Sequence, residues 1–409
     1  MSTEAATEYR CPGETQSISR SVHLGRLTRF YAGCLDCPHR HEAETFSVRK
    51  NKQLDQWSSR RRDRLAFQDD SIVGGYPQHL GPRQAGKIAT AYGSFLRHQP
   101  RPAAARPTIS IANDGSPSAA VIQASMIEGL RFAGCDVVDV GLITAPVMVR
   151  AIADLEYGGG VLIGAATQGA PQVVLRLFGA GGLPLSRNGS LDEIQRQYET
   201  GAIRGTRSAG SLRREQVTTR YLDGMRGHFH ALRPLRFIMS TPSRLVREYG
   251  ARLIADVGCT NLAAEEAIDS PANAEPTSLE GNLSERVVAQ RADFGIEIDA
   301  AGQSCQVVDE LGNDVVPHAL LRHLVPSVAG RTSSQQPIEP HPQPTDRAQQ
   351  TFEWLLETDS SAYAAAGGQF WFADPTPAVD GLRLLAHLLI LLSRSDRPLS
   401  EVLTDALPA

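Results

Sequence analysis

The chain has the composition of an ordinary globular protein: 409 residues, of which 41% are hydrophobic and 21% charged. This length predicts about two to four domains, and the composition excludes a fibrous or wholly disordered protein. The net charge of −4 creates no general attraction to nucleic acid or acidic membranes. The longest apolar run, 384–392, is too short to span a bilayer, and the polar start MSTEAATEYR lacks the apolar core of a signal peptide. We therefore expect a soluble cytoplasmic protein.

Half of the six cysteines lie in the first 37 residues. Cys34 and Cys37 form a C-x-x-C pair, the spacing at which two thiolates share one tetrahedral metal ion. The other candidate ligands are Cys11, His23, His39 and His41. Two interpretations stay open for residues 1–45. One is a small cysteine-rich module that zinc helps to fold, and the other is a basic arm with chance cysteines.

A polar, basic segment follows at 46–65, with an arginine cluster at 60–64. Such a run is typical of a solvated linker or of the exposed face of a helix. Contact with nucleic acid through residues 11–64 is the alternative, and we expect no nucleic-acid partner.

From about residue 66, strand and helix patterns alternate. Strands are predicted at 108–112, 136–140 and 160–164, with helices at 118–134 and 144–155 between them. Short turns join these elements, which indicates crossover units and a largely parallel sheet. Ligands bind beyond the carboxyl ends of strands in such sheets, so the informative loops are 113–117 and 164–172.

The second half repeats this pattern less regularly. Apolar runs predict strands at 235–239, 251–256, 294–298, 306–308 and 368–372, and helices at 282–291 and 379–393. The last helix is so apolar that it must bury most of its circumference. Residues 329–350 are rich in Pro, Gln and Ser, which predicts a flexible segment.

Three stretches resemble the α-D-phosphohexomutases (phosphoglucomutase and phosphomannomutase). The first contains GGGVLIGAATQGAPQVVLRLFGAGGLPLS, the second is ADFGIEIDAAGQSCQVVDELGN at 292–313, and the third contains GGQFWF at 367–372. They follow the family's order, which implies consecutive α/β domains: domain 1 at 66–204, domain 2 at 205–300 and a shortened domain 3 at 301–409. The family's fourth domain has no counterpart, so the resemblance is to a divergent and truncated member.

The family's chemistry depends on a phosphoserine and on magnesium held by three aspartates. At the serine position this sequence has Ala166, followed by Thr167 and Gln168. In the metal loop only Asp299 remains, because Ala301 and Gln303 replace the other two carboxylates. A side chain without oxygen cannot form a phosphoserine, and one carboxylate holds a hard dication poorly. The resemblance therefore implies no intact catalytic residue and no bound magnesium.

The family's sugar-binding E-x-S-G-H reads AAGGQ at 365–369, with neither acid nor histidine. Arg176 stands where the family has a lysine, so one basic residue still faces the cleft. Two functions follow as hypotheses. The first is a catalytically degenerate homologue, or pseudoenzyme, that binds a sugar phosphate or, through its N-terminal module, a protein partner. The alternative is an active intramolecular phosphotransferase with an altered site, in which Thr167 could act. A membrane partner is not expected.

Overall fold

The computed structural model describes residues 9–10, 16–31, 34, 37, 39, 46–54, 65–99, 106–165, 172–201, 205–229, 232–263, 282–328, 347–358 and 360–404. The chain divides into two compact units, Met1–Ala66 and Phe67–Ala409. Within the described ranges, no helix is both long and apolar enough to cross a membrane.

The first unit is small. A two-stranded antiparallel ribbon, β1 (Tyr9–Arg10) and β2 (Ser17–Ile18), precedes helix α1 (Arg20–Thr28). The hydroxyl of Ser19 accepts a hydrogen bond from the amide of Val22, which caps the helix. The backbone is helical again at 48–54, within the segment predicted to be a linker or a helix face.

The second unit begins with a seven-stranded sheet. Its spatial order is β3-β4-β8-β7-β5-β6-β9. The strands are β3 (Ala66–Phe67), β4 (Ile72–Gly75), β5 (Thr108–Asn113), β6 (Asp136–Leu142), β7 (Gly159–Ala165), β8 (Gln172–Gly179) and β9 (Leu212–Arg214). Helices α2 (Pro82–Arg97), α3 (Ala119–Phe132), α4 (Ala145–Asp154) and α5 (Ser190–Thr200) accompany them. Strands β7, β5, β6 and β9 are parallel, as predicted, whereas β8 runs antiparallel to both β4 and β7.

A four-stranded sheet follows, in the order β11-β10-β12-β13. Its strands are β10 (Arg236–Ser240), β11 (Thr260–Asn261), β12 (Phe294–Ile298) and β13 (Cys305–Asp309). Helices α6 (Thr218–Arg226), α7 (Arg244–Ile254) and α8 (Leu283–Gln290) belong to this region. The prediction of a strand at 251–256 is wrong. The apolar residues Val246, Tyr249 and Leu253 recur at helical spacing and are buried in α7, whereas Ala251 and Arg252 are exposed.

The last region contains the antiparallel sheet β14 (Ala362–Ala364), β15 (Phe370–Phe372) and β16 (Ala378–Val379). Its helices are α9 (Pro317–Val328), α10 (Ala348–Glu357), α11 (Gly381–Ser393) and α12 (Leu399–Thr404). Helix α11 is buried around nearly its whole circumference, which confirms the prediction from its composition. Most of the predicted flexible segment, 329–346, lies outside the described residues, but its end belongs to α10.

One apolar cluster connects the three sheets of the second unit, with members from Ala112 in β5 to Val402 in α12. It includes the stacked rings of Phe237 and Phe294, whose centroids lie 5.4 Å apart, and the inner face of α11. Because the three sheets share this cluster, their relative positions in the unit depend on common packing rather than on linkers alone.

Helices α2 and α3 cross at two glycines. A Cβ atom added at Gly129 would overlap the carbonyl oxygen of Gly86 and would lie 2.9 Å from the Cβ atom of Ala89. The hydroxyl of Thr90 donates to the carbonyl of Gly86 at 2.8 Å at the same crossing. The missing side chain at position 129 is therefore what allows the backbones to approach.

We expect Gly129→Ala to reduce the free energy of unfolding by about 1–3 kcal/mol, because the added methyl group pushes two packed helices apart. Gly224→Ala in α6 is the matched control, since nothing lies within 4 Å of an added Cβ there. This control should be neutral or stabilising by about 0.5–1 kcal/mol through its better helix propensity. Equal unfolding midpoints for the two variants in urea titrations would contradict the close approach.

Candidate ligand cleft

A cavity of about 560 Å³ lies where the seven-stranded and four-stranded sheets meet the last region. One wall of the cavity is formed by one face of the antiparallel strands β7 and β8. Gln172, Val174 and Arg176 alternate along β8 and so share one face, and Leu162 of β7 pairs with Arg176 in the strand register. The loop that joins β12 to β13 closes the opposite side with Asp299 through Ser304.

Asp114 fixes the end of β5 and the end of β7 together. One of its carboxylate oxygens, Oδ1, accepts from the amide of Ser116 at 2.9 Å, and Oδ2 accepts from the amide of Ala165 at 3.0 Å. A Cβ atom at Gly164 would lie 2.9 Å from Oδ2, so a glycine is needed for this approach. The two loops predicted to be informative, 113–117 and 164–172, are thus joined at their first residues.

The β12–β13 loop is held by backbone hydrogen bonds to several elements. The carbonyl of Ala301 accepts a hydrogen bond from the amide of Ala145 at 3.3 Å. The carbonyl of Gly302 accepts one from the amide of Gly381 at 3.0 Å. The amide of Cys305, directly after the loop, donates to the carbonyl of Gly368 at 2.8 Å. These bonds position the loop from α4, α11 and the turn before β15.

The carboxylate of Asp299 stabilises its own loop through a hydrogen bond. Its Oδ1 atom accepts from the backbone amide of Gln303 at 2.7 Å, and the neighbouring lining positions are Ala300, Ala301 and Gln303. Among the described residues, no three His, Cys, Asp or Glu side chains gather as a metal-binding group. Magnesium prefers several oxygen ligands in near-octahedral geometry, and this donor set does not fit that requirement.

Cys305 is the thiol next to this loop, and its surroundings disfavour the reactive form. Burial raises the pKa of the Cys305 thiol well above its usual range, and the nearby carboxylates of Asp299 and Asp380 raise it further. The residue therefore remains a protonated thiol at neutral pH and offers no thiolate nucleophile to the cleft.

Arg176 is the cation of the cleft. Its side chain is half-buried, and it has no hydrogen bond or ion pair to any residue in the described part of the chain. Its Nε atom is fully buried without a partner. Arg176 also lines a smaller neighbouring hollow, where Asp70, Gln303, Gln369 and Trp371 lie. A guanidinium presents planar, paired donors that suit phosphate and carboxylate oxygens.

The predicted site residues are distributed over both units and the undescribed segments. The cleft contains Asp299 and Arg176. Ala166 and Thr167 lie outside the described residues, as does Cys11. His23, Cys34, Cys37 and His39 belong to the first unit. Sequence reasoning missed Asp70 and the anchoring role of Asp114, although the turn signal in Asn113–Ser116 placed a loop there.

Known proteins share this architecture. The family described as phosphoglucomutase/phosphomannomutase, alpha/beta/alpha domain I, matches residues 64–204. A phosphoglucosamine mutase from Arthrobacter is 28% identical over 255 residues, which cover 61% of this chain and 56% of that protein. Another, from Limosilactobacillus reuteri, is 24% identical over 83% of this chain and 80% of the relative. Residues 64–204 therefore match domain I of this family, and the relatives support membership of the phosphohexomutase superfamily.

Crystal structures of superfamily members agree with the fold. A phosphoglucomutase/phosphomannomutase family protein from Burkholderia thailandensis superposes with a TM-score of 0.68 at 21% identity, covering 83% of this chain and 80% of that one. The phosphomannomutase-like protein of Thermus thermophilus gives a TM-score of 0.59 at 14% identity, covering 83% and 82%. The expected fold, consecutive phosphohexomutase-like α/β regions, is therefore confirmed. This phosphohexomutase homologue spans little more than half the length of some relatives, such as the Arthrobacter protein.

Magnesium should leave the stability of the wild-type chain nearly unchanged. We expect the melting temperature to differ by less than about 1 °C between EDTA and millimolar MgCl₂, because one loop carboxylate gives little differential affinity for the folded state. The double variant Ala301→Asp/Gln303→Asp should gain a magnesium-dependent stabilisation of at least about 2 °C. Ala301→Asn/Gln303→Asn controls for side-chain size. A strong response of the wild type in differential scanning fluorimetry would show that other oxygens complete a site.

Proposed function

We propose that this protein binds a sugar phosphate in the main cleft and does not transfer the phosphoryl group by the phosphoserine route. It would then act as a binding or regulatory protein of carbohydrate metabolism. The observation that supports the proposal best is Arg176: an arginine in a roomy cleft with no hydrogen-bonding partner among the described residues, opposite a loop with a single carboxylate.

The phosphate would bind at Arg176. A buried donor without a partner costs about 1–3 kcal/mol, and a charge-assisted bond to a phosphate oxygen offsets such a cost. The lining contains neutral groups that can both donate and accept, as sugar hydroxyls require. These groups are Gln68, Ser71, Thr144, Gln172, Gln303, Ser304 and Gln369.

The absence of turnover is inferred from the sequence. Phosphoryl transfer through an enzyme intermediate needs an oxygen nucleophile, and metal ions neutralise the charge that develops on the phosphoryl group. Ala166 carries no oxygen, and Ala301 and Gln303 are not metal ligands of the required kind. The names of the relatives suggest the probes: phosphates of glucose, mannose and glucosamine.

Arg176→Gln should weaken binding of glucose 1-phosphate or glucosamine 6-phosphate by about 10- to 100-fold, because it removes the charged donors and keeps the side chain polar. Arg176→Lys should retain part of the affinity, since its ammonium keeps the charge without the planar fork. Arg214→Gln, an exposed arginine of the same large sheet, is the matched control and should bind like wild type. Isothermal titration calorimetry measures all four proteins.

The same samples decide between the two hypotheses of function. A mutase assay with the corresponding 1,6-bisphosphate as phosphate donor should give no interconversion and no phosphorylated protein. Interconversion by the wild type would establish an active phosphotransferase with rearranged chemistry. Absence of binding for every hexose phosphate, with the fold intact, would reject the proposal as a whole.

A second proposal concerns the N-terminal unit, which we propose binds zinc. Cys34 and Cys37 are both buried and unoxidised, and the amide of Cys37 donates to the carbonyl of Cys34 at 3.4 Å, so the two thiols belong to one tight turn. His23 is buried and stacks on Tyr9, with ring centroids 4.5 Å apart. The described residues do not themselves assemble three ligands, so a complete site needs a further ligand from outside them, for which Cys11 and His41 are the candidates.

We expect about one zinc ion per chain in protein purified without chelator, measured by elemental mass spectrometry. Cys34→Ser/Cys37→Ser should lose the zinc and unfold the N-terminal unit, because the metal contributes folding energy there. Cys259→Ala, a buried cysteine of the second unit, should retain it. Wild-type protein that is free of zinc and keeps the protease resistance of this unit would disprove the proposal.

A further inference from the structure

A second cavity of about 310 Å³ lies on another part of the Phe67–Ala409 unit, and none of its lining residues lines the main cleft. Its walls come from α4, from α6 and from the stretch between β15 and the first turn of α11. The apolar wall consists of Pro146, Val149, Met225, Phe372, Pro375 and Ala378. A concave, largely apolar space with a few polar groups is the usual form of a small-molecule site.

Arg383 is the buried cation of this cavity, with only 8% of its surface exposed. Its Nη1 atom donates to the carbonyl oxygen of Asp374, and its guanidinium carbon lies 4.8 Å from the centre of the Phe372 ring. Its Nε atom is buried without a partner. The described residues thus give this guanidinium one hydrogen bond, to a neutral acceptor, although it carries five N–H donors.

Two of the nearby carboxylates, Asp380 and Asp154, are engaged elsewhere, and the third, Asp374, is exposed. Asp380 accepts from the hydroxyl of Tyr221 at 2.9 Å and, through its other oxygen, from the amides of Leu382 and Arg383 at 3.0 and 3.1 Å, so it caps α11. Asp154 pairs with Arg150 at 2.7 Å. Burial lowers the pKa of Arg383 even though Asp380 and Asp374 oppose this shift. Among the described residues, no carboxylate forms an ion pair or a hydrogen bond with the guanidinium, and its Nε atom has no partner.

We propose that this cavity binds a small monocarboxylate with an apolar body, whose carboxylate pairs with Arg383 and whose body packs against Val149, Met225 and Pro375. A planar carboxylate matches the guanidinium fork. A phosphate dianion is disfavoured, because the carboxylates of Asp374 and Asp380 lie beside the same arginine. The proposal does not depend on what the main cleft binds.

The probe for this site is benzoate, an aromatic carboxylate small enough for the cavity, tested on the full chain by ligand-observed NMR and calorimetry. Benzamide has the same shape without the charge, and inorganic phosphate has charge without the apolar body. We expect benzoate to bind at least about tenfold more tightly than either compound, because only benzoate satisfies both the arginine and the apolar wall.

Gly224 offers a variant that fills the cavity and leaves Arg383 in place. It lines the cavity from α6, and nothing lies within 4 Å of an added Cβ, so a larger side chain enters open space. Gly224→Leu should weaken benzoate binding by at least about tenfold while the protein stays folded. Gly25→Leu, at a helical glycine of the first unit that also has open space around its Cβ, is the matched control and should bind normally.

Arg383→Met keeps the apolar volume and should abolish the preference for benzoate over benzamide. Should this variant fail to fold, Gly224→Leu still tests the site. Arg176→Gln should bind benzoate like wild type, because Arg176 lies in the other cleft. No binding of benzoate at millimolar concentration, equal affinity for benzamide, unchanged binding by Gly224→Leu, or loss of binding in Arg176→Gln would each overturn the proposal.

Discussion

The arrangement of the cleft depends on backbone hydrogen bonds that hold the β12–β13 loop in place. Carbonyls of Ala301 and Gly302 accept from amides that begin α4 and α11, and the amide of Cys305 is bound by the turn before β15. Such bonds need no particular side chain at positions 300, 301 and 303, whereas Asp299 bonds the loop through its carboxylate and Gly302 has a positive φ of 77°. The loop can therefore keep its course in a chain whose loop offers a single carboxylate.

Because these backbone bonds are independent of most lining side chains, the fold can persist without the family's chemistry, as we propose for this protein. The apolar cluster that joins the three sheets shares Ile143, Ala145 and Leu162 with the wall of the cleft, whereas Ala301 and Gln303 do not belong to it. Substitutions at these two loop positions therefore remove little core packing. The carboxylate of Asp114 and the glycine at position 164 hold two strand ends together. The shared fold therefore does not by itself establish which ligand or reaction the lining residues serve.

Much of the fold was predictable because the apolar periodicity is strong. Strands β5, β6, β7 and β12 and helices α3, α4, α8 and α11 lie where the sequence places them. The stretch ARLIAD was misjudged as a strand because it is short and apolar, and only the wider spacing of Val246, Tyr249 and Leu253 shows a helix. No strand is predicted at β8 from the sequence pattern, because the run QVVLRLFG is used only as part of the family resemblance.

The cleft was predictable where the resemblance placed residues within family motifs, as for Arg176 in β8 and Asp299 in the β12–β13 loop. Asp70 joins the site only through tertiary contacts between distant segments, which no local pattern encodes. The bond from the amide of Ala165 to Asp114 lies one residue before position 166 and does not involve the side chain there. A single codon change at position 166 can therefore exchange a methyl group for a hydroxyl without removing the hydrogen bond that holds the end of β7.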